Sequence, residues 1–192
     1  MGVMGGTFDP IHLGHLRAAE NAREGLGLDE VRFLPAQVPP HRAAPASSAR
    51  DRYAMVVLAT ALNPRFVADD LELRREGPSY TVDTVARLRD ERPGDEIVLI
   101  VGSDTFPELA TWKDHDRIFG MCTVAVVSRP GDGPPRRAAA AESRADGVRR
   151  VPGPGLDVSA TDIRRRVKEG LSIRYLVPES VADYIAKRGL YR

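Results

Sequence analysis

The chain has 192 residues, a net charge of +1 and a hydrophobic content of 42%. This length suits one domain with a packed core, and a charge this close to zero gives no support for a nucleic-acid or membrane partner. One cysteine, Cys122, excludes an internal disulfide framework. No apolar run is long enough to span a membrane and no signal peptide precedes the first motif, so we expect a cytoplasmic location.

A glycine-rich motif opens the chain: the apolar pair Val3-Met4 leads into Gly5-Gly6-Thr7-Phe8-Asp9-Pro10-Ile11-His12-Leu13-Gly14-His15. We interpret it as a strand that ends in a phosphate-binding loop and opens a helix. Glycines let the backbone approach a ligand closely, and a helix N-terminus presents unpaired N–H groups to an anion. Histidines placed there can donate hydrogen bonds to phosphoryl oxygens. The pattern is neither a Walker A motif nor Gly-x-Gly-x-x-Gly.

Two other interpretations of His12 and His15 remain. They are either surface histidines in a glycine-rich turn or, as His-x-x-His, a pair of metal ligands. Two histidines directly after Gly-Gly-Thr favour function over a solvated turn. A metal site held by the protein is not predicted, because His41 and His115 are isolated and no further Cys/His cluster accompanies the pair.

Helical patterns and strand-like runs alternate along the rest of the chain. This rhythm predicts an α/β fold, a Rossmann-like doubly wound parallel sheet with a short C-terminal helical extension. We expect one domain over residues 1–192, with the extension from about residue 157, and ligands at the carboxyl ends of the strands. The predicted elements are a helix near 14–26, a strand at 31–34, a helix near 49–62, strands at 66–68, 97–101 and 123–127, and a last helix from about 179 to 187.

Two segments are rich in proline. Residues 35–48 contain Pro39-Pro40-His41-Arg42, where the prolines either hold His41 and Arg42 over a ligand or belong to a solvated loop. Residues 129–155 are rich in Pro, Gly, Arg and Ala. We interpret this second segment as a variable basic surface rather than a nucleic-acid patch.

Polar and aromatic residues follow two further turns. The segment 77–84 opens a helix, and its Ser79 or Thr81 either caps that helix or binds a ligand. Gly102-Ser103-Asp104 ends the strongest strand, where the Asp104 carboxylate suits ribose hydroxyls or an N-cap. Trp112, the one tryptophan of the sequence, either packs in the core or stacks on an aromatic ring of a ligand.

Near the C-terminus, Ser159 and Asp162 fit a capping box at the start of a helix. Capping does not explain Arg164, one turn into that helix, whose guanidinium can reach back to an anion. Arg165 and Arg166 should point elsewhere, because adjacent helical residues do not share a face.

These motifs resemble those of a known superfamily. The opening motif resembles the nucleotidyltransferase signature Gly-Gly-x-Phe-Asp-Pro-x-His-x-Gly-His, and residues 158–164 resemble Ile-Ser-Ser-Thr-x-Ile-Arg, with Ala160 replacing one serine. Together with Pro-Pro-His-Arg, Gly-Pro-Ser-Tyr-Thr-x-Asp-Thr, Gly-Ser-Asp and Thr-Trp, the chain resembles the bacterial nicotinate-nucleotide adenylyltransferases. Arg42 replaces the lysine of the family pattern, and Ser103 replaces an alanine.

The resemblance implies adenylyl transfer from ATP to nicotinate mononucleotide, with direct displacement of pyrophosphate. It implies Mg²⁺ carried on ATP and no other metal. ATP and nicotinate mononucleotide are the implied partners, and homo-oligomerisation stays open. The implied catalytic residues are His15, His12 and Arg42; ATP would bind to Gly5, Gly6, Thr7, Phe8, both histidines, Ser159, Thr161 and Arg164; the acceptor would bind to Thr81, Gly102, Asp104, Trp112 and His41.

Three rival functions stay open: an adenylyltransferase for phosphopantetheine, one for nicotinamide mononucleotide, and a non-catalytic nucleotide-binding regulator on the same fold. Segment 77–84 and Trp112 argue against phosphopantetheine. Nicotinamide differs from nicotinate by one charge and is harder to exclude.

Overall fold

A computed structural model describes residues 1–40, 44–128 and 147–192. His41 and Arg42 lie outside these ranges, as does most of the basic segment. The described elements, in chain order, are β1 (Gly2–Gly6), α1 (Leu13–Leu26), β2 (Val31–Pro35), α2 (Ala49–Thr60), β3 (Phe66–Ala68), α3 (Thr81–Glu91), β4 (Val98–Gly102), a 3₁₀ helix (Phe106–Thr111), α4 (His115–Met121), β5 (Thr123–Val127), β6 (Val148–Val151), α5 (Ala160–Lys168) and α6 (Glu179–Arg188).

Within the described ranges the strands form one six-stranded sheet in the order β3-β2-β1-β4-β5-β6. Neighbouring strands run parallel; Val3, for example, pairs with Arg32 of β2 on one side and with Leu99 of β4 on the other. The order reverses between β1 and β4, and ligands of doubly wound sheets bind at that switch point, outside the carboxyl ends of the strands. The fold therefore places the glycine-rich loop after β1 beside the end of β4.

Both faces of the sheet are covered by helices. Along β4, Val98 and Ile100 point into a core shared with α1, α2 and the C-terminal helices, whereas Leu99 and Val101 point into a second core with α3 and α4. A strand buried on both faces has no polar side to alternate with, which explains the continuous apolar run. The predicted Rossmann-like parallel sheet is confirmed.

Most sequence boundaries agree with the structure to within two residues. The strand predicted at 123–127 is observed at those bounds, whereas the helix predicted over 49–62 ends at Thr60. The sequence analysis assigned no helix or strand to the end of the basic segment, whereas Val148–Val151 forms the edge strand β6 and pairs with β5. Its sequence, Val-Arg-Arg-Val, buries a valine at one end and carries two arginines at the centre, so its apolar signal is weak.

The C-terminal helices contribute to the first core through Ile163, Val181 and Ile185, which pack with Phe8 and Ile11 of the glycine-rich loop. The division into one domain with an extension from about residue 157 stays a prediction. Across the described part of the chain, helices are too short or too polar to cross a membrane.

Buried Arg52 joins the loops that follow β1 and β2. Its side chain, 1% exposed, donates to the Thr7 carbonyl at 2.8 Å and to the Gln37 carbonyl at 3.3 Å. Burial lowers the pKa of Arg52, and the nearby Asp9 carboxylate opposes that shift. The guanidinium thus fixes two ligand-side loops against helix α2.

We expect Arg52→Met to destabilise the protein by about 3–5 kcal/mol, because it leaves the Thr7 and Gln37 carbonyls without this donor and removes a buried positive charge near Asp9. The matched control is Arg50→Met, two residues away on the exposed side of α2, which should change stability by less than about 0.5 kcal/mol. Urea unfolding of both variants measures the difference. Equal losses would show that the carbonyl bonds contribute nothing.

Candidate phosphate-binding and acceptor site

The loop between β1 and α1 is packed around Phe8. Phe8 is 3% exposed and has φ +49°, in the left-handed region that a non-glycine residue enters only when its surroundings hold it there. A Cβ added at Gly6 would lie 3.1 Å from the Phe8 ring, whereas at Gly5, which is exposed, it meets no described atom within 4 Å. Gly6 is therefore needed for packing, and Gly5 leaves open backbone facing the ligand side.

The two histidines of the motif stack on one another. Their ring centroids are 3.7 Å apart at 24°, and Phe8 meets His15 edge-on at 5.1 Å. His12 is 3% exposed, whereas His15 is half-buried. A Cβ at Gly14 would lie 3.0 Å from His12 Nδ1, so glycine makes room for the stack. His15 is the more accessible of the two to a ligand, with His12 packed beside it.

A backbone hydrogen bond indicates which nitrogen of His15 carries the proton. The His12 N–H donates to His15 Nδ1 at 3.2 Å. Because Nδ1 accepts, the proton of the neutral ring belongs on Nε2. His15 can thus present an N–H donor to an anion while its other nitrogen is held by the helix N-terminus.

Arg164 reaches the same loop from the C-terminal part of the chain. Its Nη1 donates to the Asp9 carbonyl at 2.7 Å across 155 residues, and its Nη2 donates to Thr161 Oγ1 at 3.3 Å. Ser159 is the N-cap of α5, and its Oγ accepts from the Asp162 N–H at 3.1 Å. The structure therefore joins Arg164 directly to the opening motif and Thr161 to it through Arg164, while Ser159 lies at the N-terminus of the same helix.

The neighbouring arginines have other partners, as the helical spacing predicted. Arg165 binds Asp162 and Glu169 on the exposed side of α5, and Arg166 Nε donates to the Ser172 carbonyl at 2.8 Å. Arg164 alone of these three consecutive arginines is directed to the loop.

The Asp9 carboxylate makes contacts that sequence reasoning missed. Oδ2 accepts from the Ala46 N–H at 2.7 Å, and Oδ1 accepts from Ser47 Oγ at 2.5 Å and from the Tyr191 hydroxyl at 2.7 Å. Asp9 was not among the predicted site residues, and neither was Tyr191, which lies 182 residues away. No local pattern links residues so far apart.

Segment 77–84, on the predicted acceptor side, is hydrogen-bonded to the chain just before Pro39-Pro40. The Gln37 N–H donates to Ser79 Oγ at 2.9 Å, and the Ser79 N–H donates to the Val38 carbonyl at 2.9 Å. Helix α3 begins at Thr81 with Tyr80 at the N-cap position, so neither residue proposed as the cap occupies it. Ser79 instead fixes the segment beside Pro39 and Pro40.

Trp112 and Asp104 flank the 3₁₀ helix after β4. That helix has Thr105 at its N-cap position, so the N-cap alternative for Asp104 was wrong and Asp104 lies exposed one residue earlier. Trp112 is half-buried against the α3–α4 core. Its neighbour Lys113 lies 4.6 Å above the Tyr80 ring, which brings this segment to the start of α3.

The side chains described at the site suit the binding of an anion better than the binding of a bare metal ion or the formation of a covalent intermediate. In the part of the chain that the structure describes, no three His, Cys, Asp or Glu side chains are grouped to hold a metal. Cys122 is 8% exposed, and burial raises its pKa to about 11, so it is a poor nucleophile. A surface depression of about 370 Å³ lies at the amino ends of β4 and β5, whereas the glycine-rich loop lies at the carboxyl end of β1.

Known proteins match this chain over most or all of its length. Residues 3–166 match the cytidylyltransferase-like family model. A Thermus thermophilus protein named "Probable nicotinate-nucleotide adenylyltransferase" is 46% identical over 192 residues, covering 100% of this chain and 99% of its own. A Geobacter metallireducens protein of the same name is 44% identical, with 99% and 97% covered.

Solved structures share the fold. Plasmodium falciparum nicotinic acid mononucleotide adenylyltransferase complexed with NaAD superposes with a TM-score of 0.80 at 16% identity, covering 99% of this chain and 96% of that one. The same enzyme complexed with APC gives 0.78. At this identity the likeness supports the fold alone, whereas the full-length relatives above 40% identity decide the family. The chain belongs to the cytidylyltransferase-like family and, within it, to the nicotinate-nucleotide adenylyltransferases.

Proposed function

We propose that the chain transfers the adenylyl group of ATP to nicotinate mononucleotide, forming deamido-NAD and pyrophosphate in NAD biosynthesis. The observation that carries the proposal is that Arg164 binds the Asp9 carbonyl in the same motif whose His15 stands in the first turn of α1, held there by the His12 N–H. Donors from opposite ends of the chain converge on a helix N-terminus at the switch point of the sheet. Such a site suits a triphosphate.

The chemistry needs no protein nucleophile. The 5′-phosphate of nicotinate mononucleotide attacks the α-phosphorus of ATP in line, and pyrophosphate leaves. The attacking phosphate is already ionised, so no general base is required. His15 donates from Nε2 to the developing negative charge, and Arg164 with Thr161 and Ser159 holds the leaving phosphates. Arg42, with His12 beside His15, completes the proposed catalytic set.

Mg²⁺ would reach this site on the triphosphate. The described side chains at the motif offer imidazoles, a guanidinium and hydroxyls to phosphate oxygens, and the Asp9 carboxylate is buried and already accepts from three donors. The ion would be coordinated by phosphate and water and would neutralise charge on the triphosphate. Gly5, Gly6, Thr7 and Phe8 would shape the surface on which this complex rests.

The acceptor would bind across the loop after β2 and the segments after β4. Trp112 would stack on the pyridine ring, and Thr81 with nearby backbone N–H groups would meet the ring carboxylate. Gly102 allows close approach at the end of β4, and the exposed Asp104 carboxylate would accept from ribose hydroxyls. His41 is the remaining acceptor-side candidate.

Pyrophosphate release measured with nicotinate mononucleotide, nicotinamide mononucleotide and phosphopantetheine tests the proposed function. We expect a preference for nicotinate over nicotinamide mononucleotide of roughly tenfold to several hundredfold, because an amide leaves donors unpaired and loses a charged acceptor. Phosphopantetheine should be inactive.

Trp112→Ala should lower kcat/KM for both pyridine nucleotides alike, whereas Thr81→Val should lower kcat/KM more for nicotinate mononucleotide. Equal kcat/KM for both in the wild type would reject the nicotinate preference, and no pyrophosphate with any acceptor would favour a non-catalytic regulator.

We expect His15→Ala to lower kcat by roughly 10²–10³, the usual scale for one lost transition-state donor, with a much smaller effect on ATP binding. The control is His115→Ala, a histidine that begins helix α4 away from the motif. Pyrophosphate release measures kcat for both. Near-normal turnover in a folded His15→Ala protein would contradict the assigned role.

Arg164→Ala should weaken ATP and pyrophosphate binding by about 1.5–3 kcal/mol, the scale of a lost charge-assisted hydrogen bond. Arg165→Ala is the matched control, because that side chain binds Asp162 and Glu169 on the exposed face. Titration calorimetry compares the two variants. The same loss of ATP affinity in both would contradict the direction assigned to Arg164.

A further inference from the structure

We propose that Tyr191 is a positioning residue for the triphosphate site: its hydroxyl holds Asp9, and Asp9 in turn holds Arg164. The inference rests on the proposed function, in which Arg164 binds ATP. Tyr191 itself lies behind the loop and touches no reacting atom in this scheme.

The hydroxyl of Tyr191 belongs to a compact buried group. It donates to Asp9 Oδ1 at 2.7 Å and lies 3.2 Å from Ser47 Oγ, which donates to the same carboxylate oxygen. Asp9 is 5% exposed and Ser47 is 8% exposed. In surroundings this dry, each bond to the carboxylate is strong and its loss leaves a buried charge less satisfied.

Asp9 connects this group to Arg164. Its side chain accepts from Tyr191, Ser47 and Ala46, while its own carbonyl accepts from Arg164 Nη1 at 2.7 Å. Side chain and carbonyl share one Cα, so fixing the carboxylate with three donors restricts how the carbonyl can turn. The direction of the Arg164 guanidinium therefore depends on the bonds made by the carboxylate.

The end of the chain is held in place for this contact. Tyr191 has φ +65°, a left-handed conformation that an aromatic residue rarely adopts, and with Leu190 it packs against the first core. Burial raises the pKa of the Tyr191 hydroxyl, with Asp9 acting in the same direction. The hydroxyl therefore keeps its proton and stays a donor throughout the working pH range.

The test compares two Tyr→Phe variants in the C-terminal segment. Tyr191→Phe removes the bond to Asp9, and Tyr184→Phe removes a similar bond, 2.9 Å long, to Asp51 in α2. By titration calorimetry, we expect Tyr191→Phe to weaken ATP binding about five- to tenfold and Tyr184→Phe less than twofold. KM for the acceptor should be unchanged in both, and thermal unfolding should shift similarly. If Tyr191→Phe instead disturbed the structure as a whole, its affinity for ATP and its affinity for the acceptor would both fall.

A double-mutant cycle tests the route through Arg164. If Tyr191 acts through Asp9 on Arg164, adding Tyr191→Phe to Arg164→Ala should lower ATP affinity by less than twofold further. Unchanged ATP affinity in Tyr191→Phe, fully additive losses in the double variant, or normal affinity in Arg164→Ala would each overturn the inference. Should Tyr191→Phe not fold, Ser47→Ala removes the other hydroxyl donor to Asp9 Oδ1 and serves in its place.

Binding is measured without the acceptor, so this result is independent of turnover. If the wild-type protein binds ATP but releases no pyrophosphate with any acceptor, the proposed function is rejected. The calorimetric comparison of the variants then still decides whether Tyr191 positions Arg164. Normal turnover in the wild type with unchanged ATP affinity in Tyr191→Phe would reject the inference alone.

Discussion

One buried residue, Asp9, makes the contacts on which the ligand side of this protein depends. Its carboxylate accepts from Ala46, Ser47 and Tyr191, and its carbonyl accepts from Arg164. These partners come from the segment before α2, the end of the chain and helix α5. A parallel sheet fixes only where its strands end; the side-chain bonds of Asp9 fix how the loops beyond those ends meet. They add a defined hydrogen-bond geometry to the packing of Ile163 with Phe8 and Ile11 in the first core.

Much of the site could be predicted because its signals are local. The buried strands are short continuous apolar runs, Ser159 precedes its helix at capping distance, and the spacing of Arg164, Arg165 and Arg166 separates their faces. Each of these patterns depends on residues within one or two turns of one another. The family resemblance draws on the same short motifs, which is why it could be stated from the sequence.

What could not be predicted depends on contacts between distant parts of the chain. The bond between Asp9 and Tyr191 spans 182 residues, and no periodicity records it. His12 is buried where its ring stacks on His15, and the His15 ring in turn meets Phe8 edge-on. Phe8 has a left-handed backbone conformation that no local sequence pattern predicts. Strand β6 owes its existence to pairing with β5, since four residues with two central arginines carry little apolar signal of their own.

Buried contacts also connect the nucleotide side to the acceptor side. Arg52 lies where the negative charges of Asp9 and Glu72 both act on it, and it binds the carbonyls of Thr7 and Gln37. Glu72 is 5% exposed, its pKa is raised by burial, and it accepts from Thr84 Oγ1 in α3 at 2.7 Å. The geometric connection runs through hydrogen bonds. Arg52 binds the carbonyls of Thr7 and Gln37, and the Gln37 N–H donates to Ser79 Oγ just before α3. These bonds join the loop that would hold the triphosphate to the helix that would meet the acceptor, and transfer between two bound groups depends on such positioning.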